Sequence, residues 1–345
     1  MPVIQSTTLS NFICSLFQAA GATEENARLV ADSLVKSNLA GHESHGVIRA
    51  PQYLDSIAQG DLDPAATPVI AQETGAISMV DGQSGFGQVG AHFAMNVTLD
   101  KAKTYSLAAT GLFNCKHVGR LGEWPQIAAD QNFIGLAFCN GGRPGGLVTP
   151  YGGAGRRMGT NPIAAAIPVA GRNPIVVDFA TSMASEGKVR VAHNRGRSVP
   201  EGWVLKADGH STTNPADLYA SGMLLPMAQH KGHGLSVLVE LLGGVLTGNG
   251  CSGLPEYSKL GNGVLFLVLS IEAFRPMPDF MAQGAAFCDL IKSTPPAPGF
   301  DEVLLPGEPE ERATEQRRVE GISIDEITWG QLVEVAAGFN VAVPD

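Results

Sequence analysis

Residues 41–50, reading GHESHGVIRA, place two histidines, a serine and an arginine within a few turns of chain. If the segment stays helical, His42, His45, Gly46 and Arg49 share one face at i, i+3, i+4 and i+7, and Ser44 sits beside His45 with a hydroxyl able to orient the imidazole. Arginine offers a rigid fork that grips a carboxylate through two N–H bonds, and a neighbouring histidine gives or takes a proton near neutral pH. The chemistry expected of this set is work on a small molecule carrying a carboxylate beside a carbonyl or hydroxyl. The plainer alternative is a His45 that caps a helix and an Arg49 paired with a surface acid.

Three further segments carry candidate groups. His117 follows an apolar strand in NCKHVGRLG, a glycine-flexed loop at 114–122. Asp178 closes the apolar strand at 175–179 and precedes Ala180, Thr181 and Ser182; a carboxylate there either holds an imidazole in one tautomer or caps the next helix. Lys231, in QHKGHG at 229–234, opens an apolar helix, where an ammonium and free backbone amides together favour an anion such as phosphate. Neither an HExxH pattern nor a cysteine pair accompanies these histidines, so no metal site is expected.

Gly85, Gly87 and Gly90 spell GxGxxG between a short apolar strand and a helix, the setting of a dinucleotide fingerprint. The next strand, however, ends in Phe113, Asn114, Cys115 and Lys116, without the acidic residue that would hold a ribose, and the rest of the chain lacks a clean βαβ alternation. We read the motif as tight helix packing, with a pyrophosphate cradle as the alternative.

The elements that must position these groups begin with amphipathic helices over 8–20 and 23–40, the second starting at Thr23 and delivering GHESHG at its end. A short helix over 51–60 and a turn-rich boundary at 61–68 follow. Strands at 76–80, 107–113, 134–139, 163–168, 174–179 and 263–271 then interleave with helices at 91–105, 124–131, 231–246 and 278–292, giving a mixed α/β core. The glycine-rich stretch at 141–162 interrupts regular structure, and loops of that length in compact domains are usually functional. A proline- and acid-rich tail at 295–316 precedes a last helix near Trp329.

At 345 residues the chain is long enough for two or three subdomains. With 44% hydrophobic against 16% charged residues, part of its surface is expected to be hidden in an oligomer. A formal net charge of −10 argues against binding nucleic acid or anionic membranes, which need a basic face. Five cysteines, scattered and without a CxxC pair, point to a reducing cytoplasm, and the apolar run at 263–271 has the length of a buried strand rather than a membrane span.

Taken in order, GHESHGVIR, KHVGRLG, PYGGAGRRMGTNPIAAAIP, VVDFATS, GKV with PEGW, HKGHG and LLPGEPE resemble the malate/L-lactate dehydrogenase family, the type unrelated to classical lactate dehydrogenase, over nearly the whole chain. The resemblance implies a non-Rossmann α/β fold of the sulfolactate/malate dehydrogenase type, with a largely antiparallel central sheet flanked by helices. It implies a homodimer with the active site near the subunit interface. Residues 1–70 would pack with 295–345 in a dimerisation and substrate domain, and 71–294 would form the sheet and cofactor region.

The implied activity is hydride exchange between NAD or NADP and a small 2-hydroxy or 2-oxo carboxylic acid of the malate or lactate type. Reduction of a cyclic imine carboxylate such as piperideine-2-carboxylate is the alternative within the family, and a catalytically inactive ligand-binding relative is the alternative outside enzymes. Residue by residue, the proton donor falls on His45 or His117, with Ser44 and Asp178 relaying to it, and Arg49 and Thr160 contact substrate. Cofactor contacts fall on Val176, Val177, Asp178, Phe179, Ala180, Thr181, Ser182, Lys231, Gly232, Gly307 and Glu308. Met227, Ala228, Gln229 and His230 depart from the glycine or aromatic residue expected near there. Arg190, Arg195 and Arg197 are either partners for a 2′-phosphate or solvated arginines.

Overall fold

The computed structural model describes residues 1–142, 145–254 and 261–344, so positions 143 and 144 of the glycine-rich stretch lie outside the described residues. In chain order, β1 (Val3–Ile4) leads into α1 (Ser6–Ala19), α2 (Glu24–Leu39) and α3 (Ala50–Ala58), followed by β2 (Val69–Thr74), β3 (Ile77–Asp81), α4 (Gly87–Tyr105) and β4 (Leu107–Cys115). Next come α5 (Glu123–Ala129), β5 (Phe133–Asn140), β6 (Ile163–Ile167), β7 (Ile175–Phe179) and α6 (Glu186–Asn194). A small lobe holds β8 (Val204–Leu205), β9 (Ser211–Thr212), α7 (Ala216–Tyr219) and β10 (Met223–Leu224). The chain closes with α8 (His230–Val239), β11 (Asn262–Ser270), α9 (Met277–Lys292), α10 (Glu308–Glu320), β12 (Ile322–Ser323) and α11 (Glu326–Phe339).

The first core is helical. Leu9, Phe12, Ile13, Leu16 and Phe17 recur at helical spacing on α1 and bury against Ala27, Val30, Ala31 and Leu34 of α2. Thr23 starts α2 by accepting a hydrogen bond from Asn26 N at 3.2 Å. β1 pairs antiparallel with β12, which brings the C-terminal α11 beside α1, where Trp329 meets Phe12 at 5.9 Å between ring centroids.

The second core is a seven-stranded sheet among the described residues, in the order β2-β3-β4-β11-β5-β6-β7. All neighbours run antiparallel except β3 and β4. α4 and α5 cover it through Ala91, Ala94, Met95, Leu99 and Trp124. Burial of each large side chain in these cores contributes about 1.5–3 kcal/mol.

The parallel β3-α4-β4 unit is a βαβ crossover around GxGxxG, and the other neighbours in the sheet are antiparallel, in keeping with the lack of βαβ alternation in the rest of the chain. Several expectations are corrected here. A strand at β2 and a helix at α6 went unread, and the acidic tail at 295–316 contains the start of α10. The helix expected over 231–246 is α-helical only to Val239 and continues as a π-helical segment over Glu240–Val245. No helix among the described residues is long and apolar enough to cross a membrane.

Candidate active site

GHESHGVIRA does not continue α2. It folds as two short 3-10 turns, Glu43–His45 and Val47–Arg49, joined by an extended Gly46. The cause is Asn38, whose Oδ1 accepts from Val47 N at 2.8 Å and stands where a Cβ on Gly46 would be, 2.2 Å away. The expected single helical face is therefore broken. His42 turns to Glu310, 3.1 Å from its Nε2, while His45 and Arg49 have other partners.

His45 stacks on His117, with ring centroids 5.3 Å apart and planes within 5°. His117 comes from the loop after β4, so the pair joins the helical core to the sheet. Its Nδ1 lies 2.7 Å from Tyr53 Oη, and Gln88 Nε2 donates to the same oxygen at 3.0 Å. His45 Nδ1 is buried with no hydrogen-bond partner among the described residues. Burial pulls both imidazoles down, His45 well below its ordinary value and His117 to about 3, and the charge of Arg49 pushes the same way.

Arg49 donates through Nε to Ser44 O at 2.7 Å and through Nη1 to Gln52 Oε1 at 3.0 Å, which fixes the guanidinium plane. Its Nη2 faces Glu186 Oε2 at 3.8 Å, beyond hydrogen-bond reach. Glu186 is itself taken by Arg190 at 2.8 Å and Tyr219 Oη at 3.2 Å. The acid partner of the plainer reading thus exists, but it is mostly buried and leaves Nη2 without a hydrogen bond.

Two expected relays are not seen. Asp178 accepts from Gly122 N at 2.7 Å and has no hydrogen bond to either imidazole; burial raises its carboxyl, opposed by that bond and by Arg120 and His42. Ser44 is buried against Gly187, where a Cβ would meet the serine's own Cβ at 2.3 Å, and its hydroxyl has no described bond to a histidine.

A cavity of about 700 Å³ opens between β7 and the start of α10. Val176, Val177, Asp178, Phe179, Gly307 and Glu308 line it together with Arg120 and Arg172, whose Nε atoms are buried without partners. The lining mixes Arg120, Arg172 and Arg318 with Asp178, Glu310, Glu311 and Glu315, and Arg172 is ion-paired with Asp289, so a cavity of that size offers both cationic and anionic contacts to a polar ligand such as a nicotinamide dinucleotide. Gly307, at φ +98°, makes the turn into α10 close to Val176 N, where any side chain is strained. The Glu308 carboxylate is committed to Lys292 Nζ and Leu305 N, both at 2.9 Å, so it holds the loop in shape.

Ala180 continues from β7 outside this lining. Beyond it, backbone bonds tie the other expected contacts into a chain: Thr181 N to Thr160 O at 3.0 Å, Met227 N to Thr181 O at 2.9 Å, and Gly232 N to Met227 O at 3.0 Å. Ser182 turns its hydroxyl onto Ala184 O at 2.7 Å, and Lys231 is exposed at the start of α8. The departure noted at 227–230 has a backbone counterpart, since Ala228 and Gln229 both adopt positive φ, 44° and 60°, where glycine is at ease. Arg195 and Arg197 are exposed and do not line the cavity.

The glycine-rich stretch is shaped by a residue that the sequence reading missed. Glu240, 7% exposed, accepts from Gly159 N (3.0 Å), Asn161 Nδ2 (3.0 Å), Asn140 Nδ2 (2.6 Å) and Ser252 N (3.0 Å). Its one signal in the sequence is a lone acid inside the apolar run LVELLG. Tyr53, Gln88 and Glu186 were also missed; Tyr53 sits one helical turn past Arg49, which is the only local hint.

Comparison with known proteins fits this geometry. The family model described as malate/L-lactate dehydrogenase matches residues 4–333. Hydroxycarboxylate dehydrogenase B of Escherichia coli is 37% identical over 339 residues, 95% of this chain and 92% of that protein. The crystal structure of malate dehydrogenase from Entamoeba histolytica superposes with a TM-score of 0.94 at 28% identity, covering 100% of this chain and 99% of that one. The Δ1-piperideine-2-carboxylate reductase of Pseudomonas syringae pvar. tomato gives a TM-score of 0.84 at 29% identity, covering 97% of this chain and all of the other. The mixed, mainly antiparallel sheet is thus that of the malate dehydrogenase-like structures, and the chain belongs to the malate/L-lactate dehydrogenase family, whose members include hydroxyacid dehydrogenases.

Proposed function

We propose that the protein is an NAD- or NADP-dependent oxidoreductase that interconverts a small 2-hydroxy carboxylic acid and its 2-oxo acid. The observation that carries this reading is the His45–His117 stack beside a guanidinium whose Nη2 makes no hydrogen bond and faces Glu186 only at 3.8 Å. Arg49 takes the substrate carboxylate at that nitrogen. His45, whose Nδ1 has no hydrogen-bond partner among the described residues, exchanges the proton with the C2 oxygen, and His117 polarises that oxygen. Burial first, and the Arg49 charge after it, disfavour the protonated form of both imidazoles, and a substrate carboxylate on Arg49 would offset the second of these causes.

Arg120, Arg172, Gly307 and the segment from Val176 to Ser182 would hold the dinucleotide. The nicotinamide, when bound, supplies or accepts the hydride. The protein's part is orientation and charge placement. Exposed Val237, Leu238, Leu241, Val245 and Leu246 form an apolar stripe that supports a homodimer as the working form, which sedimentation at micromolar concentration checks.

The likeness to the piperideine-2-carboxylate reductase supports a second reading, reduction of a cyclic imine carboxylate, in which the same clamp serves and nitrogen takes the proton. Absorbance at the reduced nicotinamide band separates the two. NADH and NADPH are each offered with pyruvate, oxaloacetate, sulfopyruvate and a cyclic imine carboxylate. Turnover of an oxo acid supports the first reading, turnover of the imine alone replaces it with the second, and silence throughout refutes both.

A further inference from the structure

The GFGQVG segment remains without a role; Gly85 and Gly87 meet the His117 loop, and Gly90 meets β4 before it. Gly85 O accepts from Lys116 N at 3.0 Å. A Cβ on Gly87 would stand 2.2 Å from Lys116 O and 2.3 Å from His117 O, so the space a pyrophosphate would need is filled by the His117 loop itself. Gly90 packs its open side against Leu112, at 3.2 Å. Between these glycines, Gln88 is fully buried and sends its amide to Tyr53 Oη, the atom that meets His117 Nδ1. The Tyr53 ring is held within 6.3 Å of Phe17 and 6.2 Å of Phe86, the residue inside the motif.

We propose that GFGQVG is the positioning device of His117: Gln88 N–H donates to Tyr53 Oη, Tyr53 O–H donates to His117 Nδ1, and the imidazole is thereby fixed with its proton on Nε2. A hydroxyl has one hydrogen to give. With Gln88 donating to the tyrosine oxygen and no other acceptor for the hydroxyl among the described residues, that hydrogen is directed to Nδ1, which is then the unprotonated nitrogen of a neutral ring. Nε2, for which no hydrogen bond is seen among the described residues, is left as a donor edge for the substrate oxygen. Tyr53 and Gln88 are positioning residues: they set which nitrogen carries the proton and how the ring lies against His45. The inference rests on the dehydrogenase reading for the use of that edge, but not for its existence.

The test is nitrogen-15 NMR on the full chain labelled at its histidines, reading two-bond ring correlations near neutral pH, with His117 assigned by the signal lost in H117N. The wild type is expected to show the proton on Nε2. Y53F, which keeps the ring but removes the hydroxyl, is expected to give a mixture of tautomers and a kcat lowered about tenfold with KM changed less than about threefold. Q88M, of similar volume, is expected to move both readouts the same way by a smaller amount, and serves alone if Y53F does not fold.

A wild-type proton on Nδ1 overturns the proposal, since the Gln88 amide would then face Tyr53 with its oxygen. An unchanged tautomer in both variants, or a changed tautomer with unchanged kcat, also overturns it. A wild type with the Nε2 tautomer but no turnover on any oxo acid or imine would support the proposal while refuting the dehydrogenase reading, so the two failures are distinct.

Discussion

Acid should destabilise this fold through His117, by an amount the site geometry sets. The unfolded chain takes up a proton at this histidine below its ordinary 6.5, whereas in the fold burial and Arg49 hold it near 3. Protons therefore favour the unfolded state over that window: the stability is complete above 6.5 and is lost as pH falls toward 3. From about pH 7.5 to about pH 5 the group crosses roughly 1.5 units of that window, and at 1.36 kcal/mol per unit the loss is about 2 kcal/mol. Replacing His117 by Asn removes the titration. The groups facing the ring are His45, Arg49 and Tyr53, and only His45 titrates nearby. Losing His117 also relieves one of the causes that lower His45, so both effects act in the same direction. Urea unfolding at fixed protein concentration, at both pH values, should show H117N losing about 2 kcal/mol less than the wild type over the interval. Equal losses in the two proteins would mean that His117 is protonated within the fold, and the neutral-imidazole site would be refuted.

Further outcomes follow from the same geometry. R49K keeps the charge but loses the fork held by Ser44 O and Gln52, so KM for a carboxylate substrate should rise about 10- to 100-fold with the melting temperature nearly unchanged, as steady-state kinetics and calorimetry would show. In E240Q one acceptor oxygen becomes an amide facing N–H donors; the lost bonds should cost about 2–4 kcal/mol in urea unfolding. G87A forces a Cβ onto Lys116 O and His117 O, and should cost about 2–4 kcal/mol while lowering kcat, both read against an A91G control in the same helix.

Much of this architecture could be read from local pattern, and the failures share one cause. The α1 and α2 stripes and the Thr23 cap are properties of neighbouring residues, and they form where the spacing places them. GHESHGVIRA carries its chemistry in its residue types, yet its shape is set by Asn38, which competes for the Val47 amide and breaks the helix. Tyr53 looks like a core aromatic and Gln88 like a helix polar residue; only the meeting of α3, α4 and the loop after β4 makes them a chain ending on His117. Asp178 was legible as a carboxylate closing an apolar strand, but its partner, Gly122 N, lies 56 positions away in the chain. GxGxxG was legible as a motif, and the βαβ unit around it exists, yet its function turned on what fills the space over Gly87.

The buried Glu240 has a consequence for how the site can come apart. Its four donors come from the end of β5, the glycine-rich loop and the segment after the π-helical turn, and none of them is adjacent in sequence to the acid. A carboxylate inside a protein is tolerated only while its donors are in place, so peeling away any one segment strands a charge in the interior. The part of the glycine-rich loop held through Gly159 and Asn161 therefore cannot fray on its own. Amide exchange at Gly159 and Ser252 should track unfolding of the central sheet rather than the fast opening of a surface loop.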